Sequence, residues 1–523
     1  MQLKSKNHGK LNHRILTLMA VLLSAHCTAL HATEVAGEPG LRPVPTTWRA
    51  TYESWKLADN ERMGMLGANL FFDVHENVKL GIGSYGALVG ERGGFITLGL
   101  AGELQTYIAP SWRLRSGVFI GGGGGRDASL QVGGGFMFRG DVGITYETGR
   151  YGNIGLGVSY VTFPTGDIRS TQPYLLYEFP FETLLASGWD TGASNPTAGK
   201  LGTASPRRQE FSVVALSYQI PNSVSKADGS PQGSSMQLLG AEWTTYLDSN
   251  WFLRVESAGA MGGQNSGYMQ ILGGGGYRFP LTSSTDLKLW ATTGPGGGGN
   301  VDTGGGFLVA GGVSLAQYLT KSTALEFSVG AIDAPQASFR ALLLGLKLTH
   351  KFGIPDSSEG SAKGALAGYE PQHLRFRAVN QTYLKGSNNW RSRDTDMSVN
   401  NMGVQADYFV SPNWYLTGQG LAAYSGNAGA YMAGLVGAGG RLNLSESWFL
   451  EAEALIGAAG GGSLNVGSGL VAQYNIGLGY QLTPALSVML TGGQIASPNG
   501  DFRANVVGAS LGYRFTGFTK AVE

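Results

Sequence analysis

Three sets of residues in this sequence are of types that do chemistry. The first is the stretch GVFIGGGGGRDASLQVGGGF, Gly117 to Phe136, whose glycines invite a reading as a phosphate cradle. Such a loop needs a Gly-Lys-Ser/Thr ending or a helix amino terminus that presents N–H groups to the anion. No Gly-Lys-Ser/Thr follows, and the residues on both sides alternate as strands do. Glycine here is expected to serve tight turns and close strand approach. The second set is histidine. Only His75, His350 and His373 lie beyond residue 32; none forms a Ser/His constellation or a metal-ligand cluster. The third set is Arg169, Arg340 and Arg503, each ending a hexapeptide that starts with proline: PTGDIR, PQASFR and PNGDFR. A guanidinium repeated in one context is a candidate contact for phosphate.

Those hexapeptides belong to a larger repeat, which decides what positions them. HENVKL at 75–80, DSNWFL at 248–253 and SPNWYL at 411–416 are one landmark. GGFITLGLAG at 93–102, GYMQILGGGG at 267–276 and AYMAGLVGAG at 430–439 are a second, in the same order each time. The glycine stretch also recurs, as PGGGGNVDTGGGF at 295–307 and IGAAGGGSLNVGSGL at 456–470. Between landmarks the chain alternates with period two, broken by short turns, so each unit reads as about eight strands. The expected division is a signal peptide at 1–32, a periplasmic segment at 33–47, repeats at 48–181, 209–352 and 373–515, linkers at 182–208 and 353–372, and a tail at 516–523.

The segment 1–32 has a basic start, an apolar run from Ile15 to Leu23 and small residues before a cut after Ala32, the pattern of a cleaved secretory signal. Cys27, the only cysteine, lies within it, so no disulfide is expected in what remains. Lys4, Lys6, Lys10 and Arg14 leave with it, and the remainder holds 33 basic against 36 acidic residues, a balance of −3. That balance gives no reason to expect a nucleic-acid partner. No later run of about 18 apolar residues reads as a membrane-crossing helix. With 84 glycines, 22 tyrosines, 22 phenylalanines and 14% charge, the composition points instead to a closed barrel, the other structure that satisfies every backbone group in lipid. The expected fold class is all-β, a transmembrane antiparallel β-barrel of about 24 strands in three repeats of about eight. The long linkers favour three separate small barrels; one large barrel is the alternative.

The alternation also assigns faces. Leu342, Leu344, Leu346 and Leu348 fall on one side of their strand, and Leu343, Gly345, Lys347 and Thr349 on the other; the first set belongs in lipid and the second inside. The same parity turns Trp112, Leu114, Val118 and Ile120 outward and Arg113 and Arg115 inward, and turns Trp448 and Leu450 outward and Glu451 and Glu453 inward. Interior charges need partners. Candidates within the same units are Glu103 and Glu178 for the arginines, and Arg441 and Arg514 for the glutamates. Arg169, Arg340 and Arg503 each precede by twelve residues a phenylalanine of like parity, Phe181, Phe352 or Phe515. Twelve residues at ~3.3 Å, tilted by ~40°, rise roughly 30 Å, a bilayer core. Each arginine is thereby expected on the lipid side at the outer headgroup level, either as a contact for lipopolysaccharide phosphates or as an arginine snorkelling from a turn.

The ending SLGYRF at 510–515 resembles the aromatic-terminated final strand of Gram-negative outer-membrane β-barrel proteins, although TGFTKAVE follows it. The resemblance implies a multi-pass protein of the cell outer membrane with a periplasmic amino terminus, contacts to outer-membrane lipids including lipopolysaccharide, and recognition by the barrel-insertion machinery. It also places the glycine runs and the arginine hexapeptides at the outer rim, on loops expected to be short. Related barrel hydrolases use a His and a Ser near the outer leaflet, and no such pair occurs here, so a lipid-modifying enzyme is a minor alternative. The expected protein is non-enzymatic and without cofactor: a structural or scaffolding part of an envelope or export assembly. A wide export pore for a polymer, protein or fibre is the other reading.

Overall fold

The computed structural model describes residues 42–57, 60–125, 132–149, 151–188, 206–355 and 369–522. The expected signal segment, most of the two expected linkers and the centre of the first glycine loop lie outside the described residues. The described chain is all strand, 24 of them, antiparallel throughout, in three closed barrels of eight. Barrel 1 holds β1 (Arg42–Lys56), β2 (Arg62–His75), β3 (Val78–Val89), β4 (Ile96–Ala109), β5 (Trp112–Gly124), β6 (Met137–Glu147), β7 (Asn153–Thr162) and β8 (Arg169–Ser187). Barrel 2 holds β9 (Pro206–Gln219), β10 (Ser235–Tyr246), β11 (Trp251–Gly262), β12 (Met269–Thr282), β13 (Thr285–Gly297), β14 (Phe307–Tyr318), β15 (Thr323–Asp333) and β16 (Arg340–Pro355). Barrel 3 holds β17 (Glu370–Lys385), β18 (Val399–Ser411), β19 (Trp414–Ser425), β20 (Met432–Asn443), β21 (Trp448–Gly460), β22 (Leu470–Gln481), β23 (Leu486–Ala496) and β24 (Arg503–Thr519).

Closure is made within each repeat. β1 pairs with β8, setting Ala50 opposite Tyr177; β9 pairs with β16, Ala215 opposite Leu346; β17 pairs with β24, Ala378 opposite Leu511. The single 24-stranded barrel is therefore not formed, and neither is the wide lumen it would enclose. The closing strands also run past the expected unit ends. β1 starts at Arg42, β8 reaches Ser187 and β24 continues to Thr519, because backbone pairing goes on where the side-chain alternation fades, as in Arg42 opposite Leu185 and Glu370 opposite Thr519.

Alternation gives each strand two faces of different composition. On β16, Leu342, Leu344, Leu346 and Leu348 are exposed while Leu343, Lys347 and Thr349 are buried. An apolar band on the outside of a closed barrel is a lipid-facing surface. At the end where short turns join the strands, outward aromatics pair across strands once per barrel: Trp112 with Tyr146, Trp251 with Tyr277 and Trp448 with Tyr480, ring centroids 4.9, 5.0 and 5.0 Å apart. Aromatic girdles of this kind sit at a membrane–water interface. The turns themselves are tight. In the one before β11, Asp248 accepts the N–H groups of Asn250 and Trp251, both at 2.7 Å, which holds its carboxyl below the usual range.

At the opposite, loop end, aromatic clusters fill each interior. Trp55, Phe95 and Phe163 pack in barrel 1, with centroids 5.8 to 6.3 Å apart. Tyr218, Tyr268 and Phe339 do so in barrel 2, and Tyr383, Tyr431 and Phe502 in barrel 3. The expectation of uniformly short loops at this end fails for two of them. Segments 220–234 and 386–398 are longer and fold back to complete these clusters: Val224 and Trp390 are buried, and the Trp390 ring stacks on Phe502 at 6.3 Å.

The glycine runs do more than turn the chain, because they are where barrels meet. β5 of barrel 1 lies against β19 of barrel 3, β21 of barrel 3 against β11 of barrel 2, and β13 of barrel 2 against β3 of barrel 1. The fifth strand of each barrel thus meets the third strand of the next, and the cycle closes. Backbones touch at these seams: Gly93 N–H donates to Gly304 O at 2.7 Å and Gly429 N–H to Gly133 O at 3.1 Å. A Cβ added at Gly460 would lie 2.1 Å from Gly267 N, and one at Gly122 would lie 2.7 Å from Ala423 O. Small residues that let backbones approach are the usual means of packing within lipid, where burial of apolar side chains gives little drive. At the turn end the closing strands also touch: Phe515 pairs with Ser187, and Gly353 and Lys520 exchange two backbone bonds of 2.8 and 2.9 Å.

Gly460→Leu or Gly122→Leu adds bulk only toward the neighbouring barrel. Each is expected to cost about 1–3 kcal/mol and to lengthen the spin-label distance between the two barrels it separates, while the heat-modifiable gel shift of a closed barrel persists. An unchanged distance would show that the seams do not set the spacing.

Candidate functional site

The residues with chemistry gather in two places: inside each barrel between the aromatic cluster and the turn end, and on the outer wall at the loop end. Inside barrel 1, inward parity on β1 brings Arg49 directly opposite Glu178 of β8. The Arg49 guanidinium donates to Glu178 from Nε at 2.9 Å and to Glu103 of β4 from Nη2 at 2.8 Å. Arg113 and Arg115 alternate on β5. Arg113 reaches Glu178 at 2.8 Å; Arg115 reaches Glu103 at 2.7 Å and Asp141 of β6 at 2.9 Å. Arg139 joins Glu53 at 3.0 Å and also Asp141. Glu103 and Glu178 therefore lie with Arg113 and Arg115 in one connected network.

Barrel 2 carries an equivalent network that uses lysine as well as arginine. Lys288 bridges Glu210 and Glu326 at 2.7 and 2.8 Å, and Lys347 bridges Glu242 and Glu326 at 2.8 and 3.3 Å. Arg254 bonds Glu256 at 2.9 Å and also Glu242. In barrel 3 the pair RFR on β17 points Arg375 and Arg377 inward. Arg375 bonds Asp407 at 2.7 Å and Glu451 at 2.6 Å, while Arg377 bonds Asp407 at 2.8 Å and also Glu453. Arg441 meets Glu451 at 3.2 Å, and the Tyr415 hydroxyl donates to Glu451 at 2.9 Å. Arg514 of β24 is buried, its guanidinium 5.9 Å from the Phe449 ring of β21.

Sequence parity alone left out Arg49, Glu53, Arg139 and Asp141, the pair Arg375 and Arg377 with Asp407, and almost the whole of the barrel 2 set. The signal was present: nearly all are charges at inward positions of strands whose outward neighbours are apolar. Chemically, the networks are dense with paired opposite charges. Among the described residues, no group of His, Cys, Asp and Glu is gathered as a metal site. Buried charges joined this way cost a great deal to separate, because removing one partner leaves the other in a low-dielectric interior.

On the outer wall, Arg169, Arg340 and Arg503 are the first residues of β8, β16 and β24, and all three are exposed. Arg340 donates to Ser223 Oγ at 3.2 Å. They do not come together: each stands on its own barrel, on a strand that at this end lies across the barrel from the seams. His350 is also on the outer wall, stacked on Phe352 at 6.0 Å near the turn end.

No family model matches the chain, and no curated protein matches it. Among solved structures it is similar to the siderophore receptor PirA from Pseudomonas aeruginosa, at 9% identity and TM-score 0.26 over 90% of this chain and 80% of that one. It is similar to Pseudomonas aeruginosa OpdK with vanillate at 10% identity and TM-score 0.22, over 91% of this chain and 98% of that one. The ferric enterobactin receptor PfeA in complex with BCV-L6 gives 9% identity and TM-score 0.27, over 90% and 81%. Likeness of that size assigns neither ligand nor activity to this chain.

Glu178→Ala removes the carboxylate shared by Arg49 and Arg113 and is expected to destabilise barrel 1 by about 3–5 kcal/mol, read as a lower urea midpoint of the protein refolded in vesicles. Asp396→Asn, which cuts the exposed Lys385–Asp396 pair, is expected to move it by less than about 1 kcal/mol. Equal effects would remove the distinction between interior network and surface pair.

Proposed function

We propose that the chain is a non-enzymatic integral protein of a Gram-negative outer membrane, acting as a structural or scaffolding element of an envelope or export assembly rather than as a conduit. The observation that carries this reading is the filling of all three interiors. Each lumen is crossed by a charge network and then closed by packed aromatics, as with Glu178, Glu53 and Trp55 in barrel 1, all essentially inaccessible. An eight-stranded barrel is just wide enough for side chains to fill it, so no continuous aqueous path is left for a solute. The seams add a second argument. Three barrels fixed in a cycle present a broad, rigid footprint in the membrane, which suits holding other components in place.

In this reading the turn end faces the periplasm and the loop end faces outward. Arg169, Arg340 and Arg503 then stand at the outer headgroups, where their guanidiniums pair with lipopolysaccharide phosphates, and the final strand of each barrel is the element read by the insertion machinery. Passage of a polymer, protein or fibre through a single wide lumen is set aside, since the 24 strands close three times.

Two measurements test the proposal. Purified protein in planar bilayers is expected to stay silent; reproducible steps in the nanosiemens range would overturn the non-conducting reading. Replacing the three arginines with glutamine is expected to lower co-purifying lipopolysaccharide several-fold without loss of the heat-modifiable shift, and unchanged retention would remove lipopolysaccharide from the list of specific contacts.

A further inference from the structure

The cyclic packing leaves one strand of each barrel between its two neighbours. β3 and β5 of barrel 1 touch barrels 2 and 3; β11 and β13 of barrel 2 touch barrels 3 and 1; β19 and β21 of barrel 3 touch barrels 1 and 2. β4, β12 and β20 lie between those contact strands, so at the loop half of the molecule their outward faces turn toward a shared axis. The outward residues there are apolar, half of them small: Leu98, which also borders Gly420 of β19, and Leu100 on β4, Ile271 and Gly273 on β12, Gly434 and Ala438 on β20. None of these side chains can hydrogen-bond.

On β12 and β20 these walls stand clear of their neighbours. A Cβ placed at Gly273 or at Gly434 would find no heavy atom within 4 Å, and Gly434 and Ala438 are exposed. Yet at the flanking seams backbones are in contact, with the hypothetical Cβ of Gly460 at 2.1 Å from Gly267 N. The result is a cleft between three barrels, walled by hydrocarbon and glycine. It is flanked by the seams and runs along the same strands to the lipid-facing surface, where Leu104 and Leu442 are 60% and 58% exposed.

Water in such a cleft would find no polar partner on its walls, and an empty cleft would forfeit dispersion contacts along its length. In a transmembrane chain the filler at hand is the acyl chain of a lipid, which can slide in from the surrounding bilayer along an apolar wall. We propose that lipid acyl chains occupy the cleft between β4, β12 and β20, with their headgroups toward the turn end, and that they act as the packing the three barrels do not supply for one another. This does not depend on any role of the rim arginines.

Cysteine scanning tests it, since Cys27 is the only cysteine and lies in the signal segment. Spin labels at Gly273→Cys, Gly434→Cys and Ala438→Cys are compared with Leu344→Cys on the lipid-facing wall and Asp228→Cys on a loop, in full-length protein whose gel shift shows it folded. Dissolved oxygen concentrates among acyl chains, and a nickel chelate stays in water. The expected oxygen-to-chelate collision ratio at the cleft positions equals that at Leu344→Cys and exceeds that at Asp228→Cys several-fold. A ratio like that of the loop would mean an aqueous shaft, and exclusion of both reagents would mean walls collapsed onto each other; either overturns the proposal. Ala438→Cys adds little bulk, so it gives the reading even if a label at a glycine disturbs the packing.

Discussion

The constraint on which everything else rests is that lipid offers the backbone no hydrogen-bond partner. A transmembrane sheet with a free edge would leave a row of N–H and C=O groups unsatisfied, each at a cost of several kcal/mol, so the first strand of a sheet must meet its last. Here that requirement is met three times. Because each repeat closes on itself, each encloses an interior only as wide as its own side chains, and the number of strands that could have made a wide pore makes three solid posts.

Solid interiors place demands on sequence that a hydrophobic core would not. Glycine on the inner face relieves crowding, and charges fill the rest, since an inward lysine or arginine is tolerable only beside carboxylates. The same element supplies a different material at each level. β5 begins with an interfacial tryptophan, continues with Arg113 and Arg115 inside the barrel, packs Phe119 in the aromatic cluster and ends in the glycines that touch barrel 3. A single strand thus carries membrane anchoring, interior electrostatics, lumen closure and barrel–barrel packing in thirteen residues. The heterologous use of strand five against strand three closes after three copies, as in a cyclic trimer, so the repeat count and the packing geometry agree.

Much of this was legible in the sequence because alternation is a local signal. The eight strands of each repeat, the four leucines of β16 and the inward placement of Arg113 and Glu451 all follow from period two within one segment. What was not legible depends on segments far apart. Arg49 meets Glu178 across 129 residues, and that partnership follows only from β1 closing on β8. The seams needed to be seen too: glycine at 122 or 460 looks the same whether it turns a hairpin or admits a neighbouring backbone. The long loops at 220–234 and 386–398 contribute Val224 and Trp390 to the interior, and an apolar residue in a loop carries no period that would have revealed it. The rim arginines were legible as positions; a partner for them is a matter of chemistry outside the chain.

Which strands complete each ring is the central claim, and cross-linking reads it directly. Ala50→Cys with Tyr177→Cys, Ala215→Cys with Leu346→Cys, and Ala378→Cys with Leu511→Cys each join two outward positions that lie opposite one another within a repeat. Under mild oxidation of the folded protein in membranes, all three pairs are predicted to form disulfides, while Tyr177→Cys with Ala215→Cys and Leu346→Cys with Ala378→Cys stay reduced. Disulfides in the last two pairs and none in the first three would mean one ring of 24 strands, and would contradict the account.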